Sequence, residues 1–134
     1  MRKALDISAY LVIGPENTLG RPVAEIIRQA LEAGFTCVQI RSKECSARDL
    51  IAYTAQAAEV ISQMGKSDTV ALLVDDRLDV VLAAREAGVK VDGIHVGQTD
   101  IPVEVCRKLL GPDSIVGLSA RADEIAGVML KQPI

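Results

Sequence analysis

Aromatic residues are nearly missing from this chain of 134: two Tyr, one Phe and no Trp. With hydrophobic content at 49%, the core must then be filled by Val, Ile, Leu and Ala. Those residues suit buried parallel strands covered by amphipathic helices. Cysteine is also scarce. Cys37, Cys45 and Cys106 are odd in number and form no Cys-x-x-Cys pair, which argues against a disulfide framework or a zinc site. Cys37 lies in an apolar run, and Cys106 shares a helix face with Val103 and Leu110, so both read as core. Cys45 has no histidine near it in sequence and makes a poor candidate for a catalytic thiol.

Net charge is −3 with no basic stripe, so the electrostatic footprint of a nucleic-acid binder is absent. No apolar run approaches the roughly 20 residues of a membrane helix. Met1 to Asp6 carries charge without a following signal-type apolar stretch, and a cytoplasmic protein is expected. No Gly-x-Gly-x-x-Gly follows the first apolar run, which weakens a dinucleotide-binding reading.

What is present is a repeating order of strand, loop and helix. Apolar runs predict strands at Tyr10–Ile13, Thr36–Ile40, Val70–Val74, Val91–Val96 and Ile115–Leu118. Between them, helical spacing appears in Val23, Ile26, Ile27, Ala30 and Leu31, and again in Leu50, Tyr53, Thr54, Ala57, Ile61 and Met64. Shorter helices are predicted from about Arg77 to Ala87 and from Pro102 to Leu110, and a last one from Arg121 to about Leu130. Gly34, Gly65, Gly88 and Gly111 stop the first four helices, and Ser46-Ala47-Arg48-Asp49 resembles a capping box. Five βα units with no antiparallel hairpin predict an all-parallel sheet with right-handed crossovers. An open doubly wound sheet and a (β/α)8 barrel both fit that order. Polar clusters after several strands, in place of one switch point, suit the barrel, although a barrel needs eight units and typically about 250 residues.

Those clusters are Gln39-Ile40-Arg41-Ser42-Lys43, Asp75-Asp76-Arg77 and Gln98-Thr99-Asp100, each directly after a predicted strand. Strand C-termini of a parallel sheet share one rim, so opposite charges would meet there. Arg41 and Lys43, two apart, share a side and suit a phosphate. Two rim carboxylates after adjacent strands, one of Asp75 and Asp76 together with Asp100, could share Mg2+, which keeps other positions for water and phosphate oxygens. Adjacent strand residues point to opposite sides, so only one of Asp75 and Asp76 need face the rim. Each of Asp75, Asp76 and Asp100 has a plainer reading as a helix N-cap. Gln39, between Val38 and Ile40, needs a hydrogen-bond partner, either a ligand or a side chain of another strand. His95 is the only histidine, and without a partner in sequence it is expected to pack inside a barrel rather than catalyse. Ser119 is expected to hydrogen-bond, since no histidine-based triad is evident around it.

Val38-Gln39-Ile40-Arg41-Ser42-Lys43, Leu73-Val74-Asp75-Asp76-Arg77, Gly93-Ile94-His95-Val96-Gly97-Gln98-Thr99-Asp100-Ile101-Pro102 and Val116-Gly117-Leu118-Ser119 together resemble the thiamine-phosphate synthase family. The resemblance covers nearly the whole chain, and its most specific part is His-Val-Gly-Gln-x-Asp-Ile-Pro. It implies a (β/α)8 barrel of which residues 1–134 form the N-terminal portion, about five βα units in a single domain. It implies transfer of a pyrimidine-methyl group from its diphosphate to a thiazole phosphate, with release of pyrophosphate. Gln39, Arg41 and Lys43 would hold the pyrimidine diphosphate, Arg41 and Lys43 acting catalytically on the leaving group. Asp75 and Ser119 would contact the pyrimidine, and Asp76 and Asp100 would bind Mg2+.

Asp75 departs from the Asn common in that family, and an ionised carboxylate accepts but cannot donate. The phosphate loops that the family carries after strands 6, 7 and 8 have no counterpart in this sequence. Two other readings stand beside the synthase. One is a thiazole tautomerase-like barrel, which needs no diphosphate-and-metal apparatus. The other is a non-catalytic half-barrel that binds a ligand or assembles with another chain, a second copy included, to cover its open edges.

Overall fold

The structure, a computed structural model, describes residues 5–119. Five strands alternate with four helices: β1 Tyr10–Ile13, α1 Val23–Glu32, β2 Cys37–Ile40, α2 Ala47–Gln63, β3 Ala71–Asp75, α3 Leu78–Glu86, β4 Gly93–Val96, α4 Val103–Leu110 and β5 Ile115–Leu118. The predicted helix from Arg121 lies outside the described residues. Bounds shift by one or two residues from the sequence reading. The fourth strand begins at Gly93 instead of Val91, because Asp92 lies in the approach, its N–H donating to the Leu72 carbonyl at 2.8 Å.

All four strand pairs are parallel, and the sheet order is β1-β2-β3-β4-β5. A doubly wound sheet reverses its order at a switch point. Here each strand pairs with its predecessor, so every crossover steps the same way. Helices therefore gather on one face, where α1 packs on α2 and α2 on α3. This is the winding of a (β/α) barrel, open between β1 and β5 among the described residues.

Period-two alternation divides the side chains between the two faces. Ile13, Val38, Ile40, Leu72, Val74, Ile94, Val96 and Val116 join helix residues such as Ile27, Leu31, Leu50 and Val81 in the main core. The opposite face carries a smaller cluster of Cys37, Ala71 and Leu73, with Tyr10 and Ile115 against it. Each helix reaches the core by one stripe: Val23, Ile27 and Leu31 in α1, and Val103, Cys106 and Leu110 in α4. Ser46 caps α2, its side chain accepting the Asp49 N–H at 3.1 Å. Cys37 and Cys106 are buried as expected, and Cys45 is half-buried against the core.

The N-terminal end of the sheet is tied by charge. The Arg85 guanidinium donates to the Val91 carbonyl at 2.7 and 3.0 Å, to the Leu110 carbonyl at 3.0 Å and to Ser114 Oγ at 3.0 Å. One side chain thus joins the end of α3 to the entries of β4 and β5. Asp92 adds a second tie, accepting the Leu72 N–H at 2.8 Å while pairing with Lys90 at 2.9 Å. The C-terminal rim is left for other work.

Gly93 sets the closeness of β4 and β5. A Cβ there would lie 1.8 Å from the Ile115 carbonyl oxygen. Gly93→Ala is therefore expected to destabilise the fold by about 3 kcal/mol, the upper range of overpacking. Urea unfolding checks this, and an unchanged midpoint would show that the two strands need no such approach.

Candidate active site

The C-terminal ends of β1 to β5 surround one cleft of about 700 Å³. Gln39, Arg41 and Lys43 enter it from β2, Asp75 and Asp76 from β3, His95, Gly97, Thr99 and Asp100 from β4 and the loop after it, and Ser119 from β5. Tyr10 and Val12 of β1 complete the wall. Every residue singled out in the sequence as a binding or metal candidate lines this space.

Residues on the inner face arrive there by alternation. Gln39 follows Cys37, Asp75 follows Leu73, and His95 follows Gly93, each two positions along its strand. Asp76 breaks that rule. Its φ of +68 is left-handed, a conformation uncommon outside glycine and enriched in Asp and Asn. The reversal brings both aspartates to the cleft, where strict alternation allowed one. The Asp76 N–H donates to the His95 carbonyl at 2.7 Å, which anchors the turn to β4.

The helix-cap readings fail. Arg77 is the N-cap of α3 and Pro102 that of α4, and neither uses a side chain to cap. Asp100 instead bends back to accept the Gly97 N–H at 2.7 Å. Gly97 leaves it room, since a Cβ there would sit 3.1 Å from Asp100 Oδ2. Arg77 turns from the cleft to a bidentate pair with Asp79, at 2.8 and 3.0 Å.

Asp76 and Asp100 lie close enough in the cleft for each to shift the other's titration. Their hydrogen bond pushes the Asp76 carboxyl up to about 6, with burial and the charges of Asp100 and Asp75 acting the same way and Arg77 opposing. Asp100 is held below the ordinary carboxylate range, first by that hydrogen bond and then by the Gly97 N–H, with Lys43 and His95 contributing charge. Two hard oxygen donors held together against their repulsion match what Mg2+ takes from a protein. Among the described residues, no cluster of three or more His, Cys, Asp or Glu forms a metal cage, so a cation here would keep places for other ligands.

Arg41 and Lys43 line the same cleft from the loop after β2. Ser42 Oγ accepts the Cys45 N–H at 3.0 Å and is hydrogen-bonded to Glu16. Gly14 abuts the Arg41 carbonyl so closely that any Cβ would overlap it, at 1.8 Å. Arg41 Nε lies 3.5 Å from Asp75 Oδ2, leaving the two Nη groups of the fork on its outer side.

Gln39 finds its partner on another strand: its Nε2 donates to the Tyr10 hydroxyl at 2.8 Å. Burial pushes that phenol up to about 12, against the opposing effect of Gln39. Tyr10 was not singled out in the sequence, where it was only the start of a strand. Its spacing from Val12 and the scarcity of aromatics were the available signals.

His95 corrects two expectations. It is not merely packed, and it does have partners. Its Nδ1 lies 3.2 Å from Asp75 Oδ1 and its Nε2 lies 2.9 Å from Ser119 Oγ. A Ser–His–Asp chain thus exists around Ser119, assembled from three strands by register and invisible to linear spacing.

Five parallel strands, four of them each followed by a described helix, with charged residues on the C-terminal rim, place the molecule among (β/α)-barrel-like proteins. The sequence profile of the thiamine monophosphate synthase family matches residues 9–133, and the chain belongs to that family. It is 41% identical over 111 residues to the thiamine-phosphate synthase of Moorella thermoacetica, covering 83% of this chain and 49% of that protein. The corresponding protein of Corynebacterium efficiens is 38% identical over 125 residues, 93% of this chain and 55% of its own length. Thiamine phosphate pyrophosphorylase from Pyrococcus furiosus superposes with a TM-score of 0.76 at 27% identity, over 94% of this chain and 56% of that structure. The chain spans about half the length of the curated relatives it matches.

The raised Asp76 carboxyl yields a test of the carboxylate pair. A cation and a proton compete for the same oxygens, so bound Mg2+ should raise Tm more at about pH 8 than at about pH 5, on either side of the Asp76 titration near 6. Thermal scans with and without Mg2+ check this. Equal shifts at both pH values would count against Asp76 and Asp100 as the ligands.

Proposed function

We propose that the protein is a thiamine-phosphate synthase, transferring the hydroxymethylpyrimidine group from its diphosphate to the nitrogen of a thiazole phosphate and releasing pyrophosphate. In this reading residues 1–134 form the N-terminal part of one (β/α)8 barrel domain. The observation that supports it is the cleft that Arg41 and Lys43 line together with Asp76 and Asp100. The names and identities of the relatives point the same way.

The reaction requires the C–O bond to diphosphate to break, leaving a resonance-stabilised pyrimidine-methyl cation that the thiazole nitrogen attacks. Charge builds on the leaving group, so fixed positive charge aimed there lowers the barrier. Arg41 supplies a bidentate fork through its outer Nη groups and Lys43 a mobile point charge. Asp76 and Asp100 would hold Mg2+, which when bound adds charge neutralisation at the diphosphate. Gln39, braced by Tyr10, and Asp75 with Ser119 offer polar atoms to the pyrimidine ring and orient it for in-line attack. The thiazole nitrogen has its own lone pair, so none of these residues need act as a general base.

A tautomerase-like reading leaves the facing carboxylates and the Arg41–Lys43 pair without a task.

Pyrophosphate release in the presence of both substrates and Mg2+ tests the proposal. Asp76→Ala or Asp100→Ala should lower turnover at least about 100-fold, the scale of losing a transition-state electrostatic contact. Wild-type turnover in both variants would sink the metal assignment. No release by the unaltered protein would sink the synthase reading for this chain.

A further inference from the structure

The hydrogen-bond chain through His95 has a direction, and the direction follows from donor and acceptor chemistry. Asp75 as a carboxylate only accepts. Its Oδ1 lies 3.2 Å from His95 Nδ1, so that nitrogen carries the proton. In the neutral form of the ring there is one N–H, which leaves Nε2 as an acceptor. Ser119 Oγ, 2.9 Å from Nε2, must then donate its only hydrogen to the ring. What Ser119 turns toward the cleft is lone pairs alone.

The geometry holding this chain is built into the sheet. Asp75 and His95 are register partners, and His95 is in turn the partner of Gly117. A Cβ at Gly117 would lie 3.0 Å from His95 Cδ2, so the glycine leaves the place that the imidazole fills. Arg41 Nε, 3.5 Å from the second Asp75 oxygen, holds the far side of the carboxylate. The ring is therefore gripped at both nitrogens and along one edge.

We propose that Asp75, acting through His95, makes Ser119 an obligate hydrogen-bond acceptor toward the ligand, so that the cleft selects a ring bearing an amino group there over one bearing a carbonyl. This rests on the synthase reading, because it names which edge of the pyrimidine the cleft accepts. Asp75 and His95 are positioning residues, and Ser119 is the contact. The same three atoms stand in the order of an acyl-transfer triad. The Ser119 N–H, however, is spent on the Val96 carbonyl at 2.9 Å, and the hydroxyl serves here as a recognition group.

A single histidine makes the test direct, since the imidazole region of a two-dimensional 1H–15N spectrum reports His95 alone. At about pH 8, above the ordinary imidazole range, the ligand-free protein should show protonated Nδ1 and bare Nε2. The opposite tautomer, or protons on both nitrogens, would overturn the proposal. Calorimetric titration with an aminopyrimidine-methyl diphosphate and with its oxo analogue should give a preference of about 100-fold for the amino ligand, the cost of facing acceptor against acceptor.

Asp75→Asn can donate to Nδ1 and reverse the chain, so the preference should fall below about 10-fold as the Nε2–H tautomer appears. Should Asp75→Asn keep the wild-type tautomer, Ser119→Ala is the second variant: it removes the acceptor and must bring the two affinities within about threefold if Ser119 makes the choice. Equal binding of both ligands by the unaltered protein overturns the selection, as does covalent capture of Ser119 by a fluorophosphonate. Binding of neither ligand with the expected tautomer would instead strike the synthase reading and leave the hydrogen-bond direction standing.

Discussion

Parallel pairing of each strand with its predecessor in the chain is the constraint from which the cleft follows. It winds all crossovers in one sense, sends the helices to one face and leaves the other for side chains two residues apart on every strand. Asp75 and His95 meet because they are register partners, while Gln39 and Ser119 lie on the same inner face two residues below and above that row. A slip of one residue in any strand would send its polar group into the helix-facing core, where Val38, Val74, Ile94 and Val116 now sit. The burial of those apolar partners is what prevents the slip.

The two ends of the sheet divide the labour, as parallel barrels commonly do. At the N-terminal end, Arg85 and Asp92 satisfy backbone groups that the strand entries leave open, and their charges are absorbed by carbonyls and by Lys90. At the C-terminal end the charges remain in tension. Asp76 is held in a left-handed turn beside Asp100, at a cost in repulsion that a proton or a cation relieves. Local strain at such a place is common where the surrounding structure enforces it for a purpose. Here the Asp76 N–H to the His95 carbonyl does the enforcing.

Much of the fold was legible because its signals are local. Apolar runs of strand length, helical spacing and the glycines that stop helices marked the five strands and four α-helices to within a residue or two, and missed only the short 3-10 turn at Pro15–Asn17 among the described elements. Element order alone did not choose between doubly wound sheet and barrel, since it does not state which strands are neighbours; the polar clusters after several strands and the family resemblance pointed to the barrel, and the strand order agrees. Of the cleft, the charged clusters were visible because they directly follow strands. Tyr10 escaped because a tyrosine in an apolar run looks like core until its hydroxyl meets Gln39 across the strand pair. His95 was read as packing because its partners lie 20 and 24 residues away.

The sequence by itself determined the repeating βα order, the aliphatic core, the family resemblance and the identity of the groups at the strand ends. These depend on residue type and on spacing within a few positions. Only the tertiary structure decided that Asp75 and Asp76 both turn to the cleft, that Asp76 and Asp100 come close enough to couple, and that Ser119, His95 and Asp75 form one hydrogen-bonded chain. Each of those depends on distances of a few ångströms between atoms remote in the chain, or on a backbone reversal that a neighbouring strand stabilises. Lateral registry across parallel strands creates such distances, and it exists only once the sheet has formed.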